Sequence, residues 1–375
     1  MAQGLTIVSV LITGSTGFIG REIVRRLLAA RRSVVAMARG RDGATARDRM
    51  AAALGAPPAD VRLDVIEGDL ALPECGLDPG DWRRLRASVE TVINCAGDAR
   101  FEPETMEPYV AGYLHGPLRL LEGLAGGRLA RWAQISTAFV CGTRTGTIFE
   151  RDADVGRTFH NTYERVKSEA EQAIRAAGAG RRIDVRVFRP SIVVGAAPAT
   201  VGGNPSNLFF GFIRMLAALA RMSDGAPSLR VEAAPSVPFN IVPVEYVATS
   251  VVALAERADG TGQTFHLVLR DAPTQATVLR TITGRLGVRG VRLVDARREA
   301  LMDPSPFERA IARVLEPYRA YLRQDVRFDD AITATLLQRC GVERLTLSID
   351  AIHRLVDEAL GGRSPSPERA LADVG

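Results

Sequence analysis

The sequence predicts an α/β fold, a doubly wound parallel sheet carrying a smaller, mainly helical cap. Three observations carry that expectation. Short β-branched runs alternate with amphipathic stretches of helical period through the first half of the chain. A glycine-rich turn joins the first run directly to the first such stretch. Beyond Gly195 the alternation stops and gives way to a Gly/Pro/Asn-rich connection and a long apolar segment.

The first strand is expected at residues 7–12, the first helix at 18–30, and further strands at 34–38, 61–66 and 91–95. In that helix Ile19, Ile23 and Leu27 fall on one stripe with Gly20, Val24 and Leu28 beside it, the broad apolar face that covers a sheet. Strands at 132–136 and 183–188 continue the series, and the apolar segment at 208–222 begins the cap. The chain is expected to return to the sheet through a strand at 239–242, a helix at 244–255 and a strand at 264–269. Residues 270–360 read as mostly helical and the tail at 361–375, GGRSPSPERALADVG, as disordered.

Composition removes several function classes. The 48 basic and 43 acidic residues leave a net charge of +5, and 47 of the 48 are arginine. They fall in scattered pairs such as Arg25-Arg26, Arg83-Arg84 and Arg181-Arg182, the pattern of solvated faces and not of a nucleic-acid-binding patch. The mild excess suits an acidic partner, such as a phosphate-bearing cofactor or carrier. The four cysteines show no CxxC spacing and the four histidines are isolated, so the sequence indicates neither a metal site nor a disulfide framework. With no basic leader and no run of about 18 apolar residues, neither a signal peptide nor a membrane span is expected, and the cytoplasm is the expected location.

TGSTGFIG, residues 13–20, lies between a predicted strand and a predicted helix, the context that gives such a motif meaning. Gly14 permits the tight turn, Gly17 lets backbone approach a pyrophosphate, and Gly20 lets the helix pack closely. Thr16, Phe18 and Ile19 complete the cofactor-binding set at this turn, where the helix N-terminus offers amides to phosphate. The second strand ends on Arg39 where NAD-binding versions carry an acid, so NADP(H) is expected, the guanidinium gripping a 2′-phosphate with Arg47 or Arg49 assisting. Asp69 is placed to accept from the adenine amino group and Leu70 to pack on the ring, although Asp69 would also cap a turn. Ala96 and Gly97 give the fourth strand a small-residue end beneath the cofactor. The expected division is a Rossmann domain at 1–195 with 237–269 returning to it, and a substrate-binding cap at 196–236 and 270–360.

Tyr163 and Lys167 share one helix face in NTYERVKSEAEQAI, with Asn161 as N-cap and Glu164 three residues on. An ammonium beside the phenol is expected to lower its pKa and make it a usable proton donor. Lys167 is the sole lysine of 375 residues, which sets it apart from surface charge. Thr137 in ISTAF, 26 residues before Tyr163, is the candidate hydroxyl for the substrate oxygen, preferred over Ser136. Pro190 in FRPSIVVG is expected to bound the nicotinamide pocket while Arg189 serves structure.

Together TGSTGFIG, GDL, STA, YERVK and RPSIVVG resemble the extended short-chain dehydrogenase/reductases over residues 7 to about 270. Within them GDLALPECGL, VINCAGDARFE, NTYERVKSEAE and FNIVPVEYVA resemble the thioester-reductase and fatty acyl-CoA reductase (male sterility) branch, a likeness that PYRAYLRQDVRFDDAITATLLQRCGV extends to about residue 360. The resemblance implies hydride transfer from the nicotinamide to a carbonyl carbon, with Thr137 and Tyr163 bonding its oxygen, Tyr163 giving the proton and Lys167 holding the ribose. It implies as substrate an acyl-CoA or a carrier-bound acyl group, with an acyl carrier protein as a possible partner. One departure is that Tyr113, in YLHGP, stands where the family commonly carries asparagine. Alternative readings are an NADP-dependent ketoreductase or alcohol dehydrogenase acting on a hydrophobic ketone, a nucleotide-sugar epimerase or dehydratase, and a non-catalytic NADP sensor.

Overall fold

A computed structural model of the chain describes residues 8–55, 62–97, 101, 105–152, 158–195, 206–222 and 228–361. The predicted strand starts at Ile7 and Val61, the connection after Gly195 and the tail from residue 362 lie outside them. In β1 (Ser9–Thr13) the period-2 alternation divides the residues between faces: Val10 and Ile12 enter one apolar cluster and Leu11 another. The same division recurs along β2 (Ser33–Ala38), β3 (Leu63–Glu67), β4 (Val89–Asn94) and β5 (Arg131–Ile135).

A short strand β6 (Gly146–Ile148) is followed by β7 (Asp184–Pro190), β8 (Ile192–Val194), β9 (Leu229–Ala233), β10 (Ile241–Pro243), β11 (Thr264–Leu267), β12 (Val291–Asp295) and β13 (Val326–Phe328). Among the described residues seven strands form one sheet in the order β11-β7-β5-β4-β1-β2-β3, every pairing parallel. The order reverses between β1 and β4, and the glycine turn follows β1. In an open parallel sheet that reversal opens the crevice in which ligands bind.

Helices cover both faces. On one lie α1 (Phe18–Ala29) and, later in the chain, the helix Val244–Leu254; Ile23, Val24 and Leu27 pack there with Val247, Val251 and Leu254. After α2 (Ala46–Leu54) come α3 (Pro79–Ser88), α4 (Met106–Val110), α5 (Gly116–Leu124) and α6 (Thr162–Ala179). Leu85, Leu120, Leu121, Leu124 and Ile174 from three of these close the opposite face around Trp132. The later helices are α7 (Ser206–Met222), α8 (the Val244–Leu254 helix), α9 (Gln275–Leu286), α10 (Pro306–Leu315), α11 (Arg319–Arg323), α12 (Ala331–Arg339) and α13 (Ile349–Ala359). Phe209, Ile213, Leu229, Leu279, Ile311 and Val356 draw α7, α9, α10, α13 and β9 into a separate core.

One expectation is corrected. The strand expected at 239–242 does not rejoin the large sheet. Among the described residues it pairs, as β10, only with β8, the strand that follows the end of β7 at Pro190. Residues 270–360 carry helices α9 to α13, as expected, together with β12 and β13, which pair in parallel with β9 and β6. Among the described residues no helix is long and apolar enough to cross a membrane.

Candidate active site

The glycine turn is shaped by contacts that leave no room for side chains. Gly14 adopts φ +61, and a Cβ there would fall 2.7 Å from the Ala96 amide nitrogen. A Cβ on Gly20 would meet the Gly14 carbonyl oxygen at 2.2 Å, so α1 packs onto the turn itself. Gly17 is the N-cap of α1, and no side chain caps that helix, whose first amides are therefore suited to an anion. Thr16, Phe18 and Ile19 are half-buried around it. Ser15, not picked out from the sequence, is fully buried and donates to the Met37 carbonyl at 2.9 Å, tying the turn to β2.

Arg39 follows β2 with an exposed side chain whose Nη1 lies 3.6 Å from Asp69 Oδ2. Arg49 donates through Nη1 to the Arg39 carbonyl at 2.6 Å, and its guanidinium is lowered from its ordinary value by burial and then by the charges of Arg39 and Arg41. Arg41 completes this cluster and was missed; only the fold of the loop brings it to Arg49. Arg47 is exposed on α2. Asp69 accepts from the Ala71 amide at 2.9 Å, closing the turn expected of it, and it also faces Arg39. Leu70 is buried and its carbonyl accepts from Arg119 at 2.8 Å. Ala96 donates its amide to Thr13 Oγ1 at 3.3 Å, which fixes the end of β4 against the glycine turn, and Gly97 is exposed next to it. This cradle fits a dinucleotide.

At the N-terminus of α6 the Asn161 side chain accepts from the Glu164 amide at 3.0 Å, as expected of its cap. Glu164 reaches one residue further back than a capping box requires, accepting from the His160 amide at 2.9 Å. The start of this helix is fixed, and with it Tyr163. Burial pushes the Tyr163 phenol well above its ordinary value, Glu164 adds to this, and the hydrogen-bonded Thr137 hydroxyl opposes it. The expectation that a neighbouring ammonium dominates its titration is therefore corrected: desolvation of the phenolate wins. One turn along α6, Lys167 Nζ donates to the Ile135 carbonyl at 3.0 Å and lies 5.9 Å from the Tyr163 ring centroid. Burial pushes this ammonium down to about 8, against the opposing influence of Cys95 and then Glu171.

Thr137 caps the short turn after β5, its Oγ1 accepting from the Phe139 amide at 3.3 Å. The Ser136 hydroxyl is buried with no hydrogen-bond partner among the described residues. Pro190 is buried at the end of β7, and Arg189 makes a bidentate pair with Glu171 through Nε and Nη2, the latter at 2.7 Å. Over Tyr163 lies an aromatic wall the sequence did not disclose: Phe101, 6.0 Å away between centroids, meets Tyr318 at 4.9 Å and Tyr321 at 5.4 Å. The Tyr321 hydroxyl accepts from Asn161 Nδ2 at 2.7 Å, which binds α11 to the start of the catalytic helix. Among the described residues no three His, Cys, Asp or Glu side chains gather as a metal site requires.

A glycine turn at the strand-order reversal, with a Tyr-Lys pair on a helix beside it, is carried on a Rossmann fold of the extended short-chain dehydrogenase/reductase type. Residues 12–251 match the NAD-binding family described as male sterility protein, and the chain belongs to that family. Peramine synthetase A of Epichloe festucae is 31% identical over 231 residues, 58% of this chain and 8% of that protein. The carboxylic acid reductase of Mycobacterium marinum is 24% identical over 293 residues, 69% of this chain and 24% of that protein. The chain thus spans a quarter or less of these two relatives. The terminal R domain of the myxalamid PKS-NRPS pathway shares the fold at a TM-score of 0.71 and 18% identity, over 96% of this chain and 92% of that one.

Proposed function

We propose that this chain is an NADPH-dependent reductase of an acyl thioester, presented as a CoA ester or on a carrier protein, giving an aldehyde or alcohol. The observation that carries the reading is the Tyr163 phenol hydrogen-bonded to Thr137, with Lys167 one turn along the same buried helix face. The matches to a carboxylic acid reductase and to a terminal R domain support the thioester, and the Arg39, Arg41 and Arg49 cluster supports a 2′-phosphate on the cofactor.

Gly14, Thr16, Gly17, Phe18 and Ile19 would hold the pyrophosphate, Arg39 the 2′-phosphate, Asp69 and Leu70 the adenine, and Ala96, Gly97 and Pro190 the nicotinamide end. NADPH, when bound, supplies the hydride. Thr137 orients the carbonyl oxygen, and Tyr163 donates its proton to that oxygen as the carbonyl carbon accepts the hydride. A phenol whose pKa is raised is fully protonated at neutral pH, the state a donor needs. Lys167 holds the ribose and supplies positive charge beside the phenolate that results. Collapse of the protonated adduct breaks the C–S bond, releasing thiol and leaving an aldehyde.

The test is NADPH consumption by the purified protein across acyl-CoAs, carrier-bound acyl groups, aldehydes and ketones. Turnover of thioesters is expected; turnover of ketones alone would overturn the thioester assignment in favour of a ketoreductase.

A further inference from the structure

Lys167 occupies a place where an ammonium needs unusual support. Its side chain is buried, and among the described residues its Nζ donates to one acceptor, the Ile135 carbonyl of β5, at 3.0 Å. The carboxylate on its own helix that acts on its charge, Glu171, is engaged by the Arg189 guanidinium of β7, Nη2 to Oε2 at 2.7 Å. The thiol facing it from the end of β4, Cys95, is pushed by burial up to about 12 and is neutral at physiological pH. Tyr163, on the same helix, presents its ring at 5.9 Å.

The closest aromatic face comes from a different element. Tyr113 lies in a π-helical turn, Ala111–His115, between α4 and α5, and Lys167 Nζ stands 4.6 Å from its ring centroid. The ring is held from two sides. Tyr109 packs edge-on at 4.8 Å, and the backbone of Gly97 lies against the ring so closely that a Cβ there would come 2.1 Å from Tyr113 Cε1. Tyr113 is itself buried, so the attraction between cation and ring is little screened by water.

We propose that Tyr113 is a positioning residue for Lys167, its ring face seating the ammonium between the end of β4 and α6 and holding it in the charged state. The inference rests on the reading of Lys167 as the lysine of the catalytic set. The π-helical turn has a clear consequence in this light: it carries the Tyr113 ring onto Gly97, beside the cation. A hydroxyl is not required for that role, but a ring is.

The sole lysine makes a direct test possible, because protein labelled with 13Cε-lysine gives one lysine resonance, whose titration reports Lys167 without any turnover. Tyr113→Phe keeps the face and is expected to titrate within about threefold of the wild type in proton affinity. Tyr113→Leu removes it and is expected to lower that affinity about tenfold. The alkaline limb of the kcat profile should move to lower pH in the Leu variant only, which a purely structural role for the side chain would not produce. A Leu variant that titrates with the wild type overturns the proposal. Should that variant not fold, the wild type alone decides: the Lys167 ε-methylene protons are expected upfield of free lysine through the ring current, and unshifted protons overturn the proposal. Absence of thioester turnover in the wild type would instead strike the proposed function and leave the titration result standing.

Discussion

Lys167 is one ammonium in a nearly water-free pocket, bonded to the Ile135 carbonyl and lying over the Tyr113 ring. Arg39, Arg41 and Arg49 are a shared charge at the end of β2, with the Arg39 and Arg41 side chains 60% and 67% exposed. Both cations serve the same cleft in the proposed function, yet they differ in every physical respect. In the pocket the dielectric is low, each contact is strong, and removing one group leaves nothing to replace it. At the surface water and salt screen each guanidinium, and neighbours share its work. The buried site should therefore respond steeply to single changes and little to salt, and the exposed one the other way round.

The largest effect is expected at the phenol beside the buried cation. Tyr163→Phe should lower kcat by about 10²- to 10⁴-fold, the usual contribution of a positioned proton donor, with NADPH affinity unchanged by fluorescence titration. Turnover that survives this change would break the mechanism. Lys167→Arg retains charge but replaces a compact ammonium with a planar fork that cannot sit at one carbonyl and one ring face in the same volume. A fall in kcat of about a hundredfold is expected, again with the measurement made beside NADPH affinity. If arginine works there, charge alone suffices and the contrast between the two regions fails.

The local part of this difference was legible in the sequence and the distant part was not. Tyr163 and Lys167 are four residues apart on a helix, and helical periodicity alone puts them on one face. The glycine turn, and the strands from β1 to β7 apart from short β6, announce themselves in the same way, through spacing within a few residues. Tyr113 and Lys167 are brought together by a π-helical turn and by Gly97, which no periodicity encodes. Arg41 looked like any other arginine in a chain with 47 of them, because its nearness to Arg49 depends on the path of a loop. Tyr318 and Tyr321 were visible only as part of a family-like segment, and their place over Tyr163 follows from α11 docking on Asn161. The parallel pairing of β9 with β12 joins segments some sixty residues apart that are too short to show a strand pattern.

pH separates the two regions more gently. An arginine keeps its charge throughout the working range, whereas burial brings Lys167 down to about 8. Below that value the ammonium is present; as pH rises through it the cation is lost, so kcat should fall about tenfold for each further pH unit. NADPH affinity, resting on the arginines, should stay flat over the same range. A kcat that remains level to about pH 10 would show that the bound cofactor and substrate hold Lys167 charged more firmly than its surroundings in the protein do.

The smallest effect is expected at the exposed cluster. Arg39→Ser removes one of the cationic groups placed for the 2′-phosphate and should raise KM for NADPH about tenfold, with kcat unchanged and KM for NADH unmoved. Because Asp69 already lies 3.6 Å from Arg39, part of the arginine's attraction is spent before any phosphate arrives, and Asp69→Asn should strengthen NADPH binding slightly. Salt gives the complementary reading. Raising ionic strength from about 0.05 to 0.5 M shortens the screening length from over 10 Å to a few ångström, so KM for NADPH should climb several-fold in the wild type and less in Arg39→Ser. kcat, governed by the buried pair, should hardly move. If KM for NADPH ignores both salt and Arg39, the cluster is a solvated surface and the cofactor's phosphate is read elsewhere.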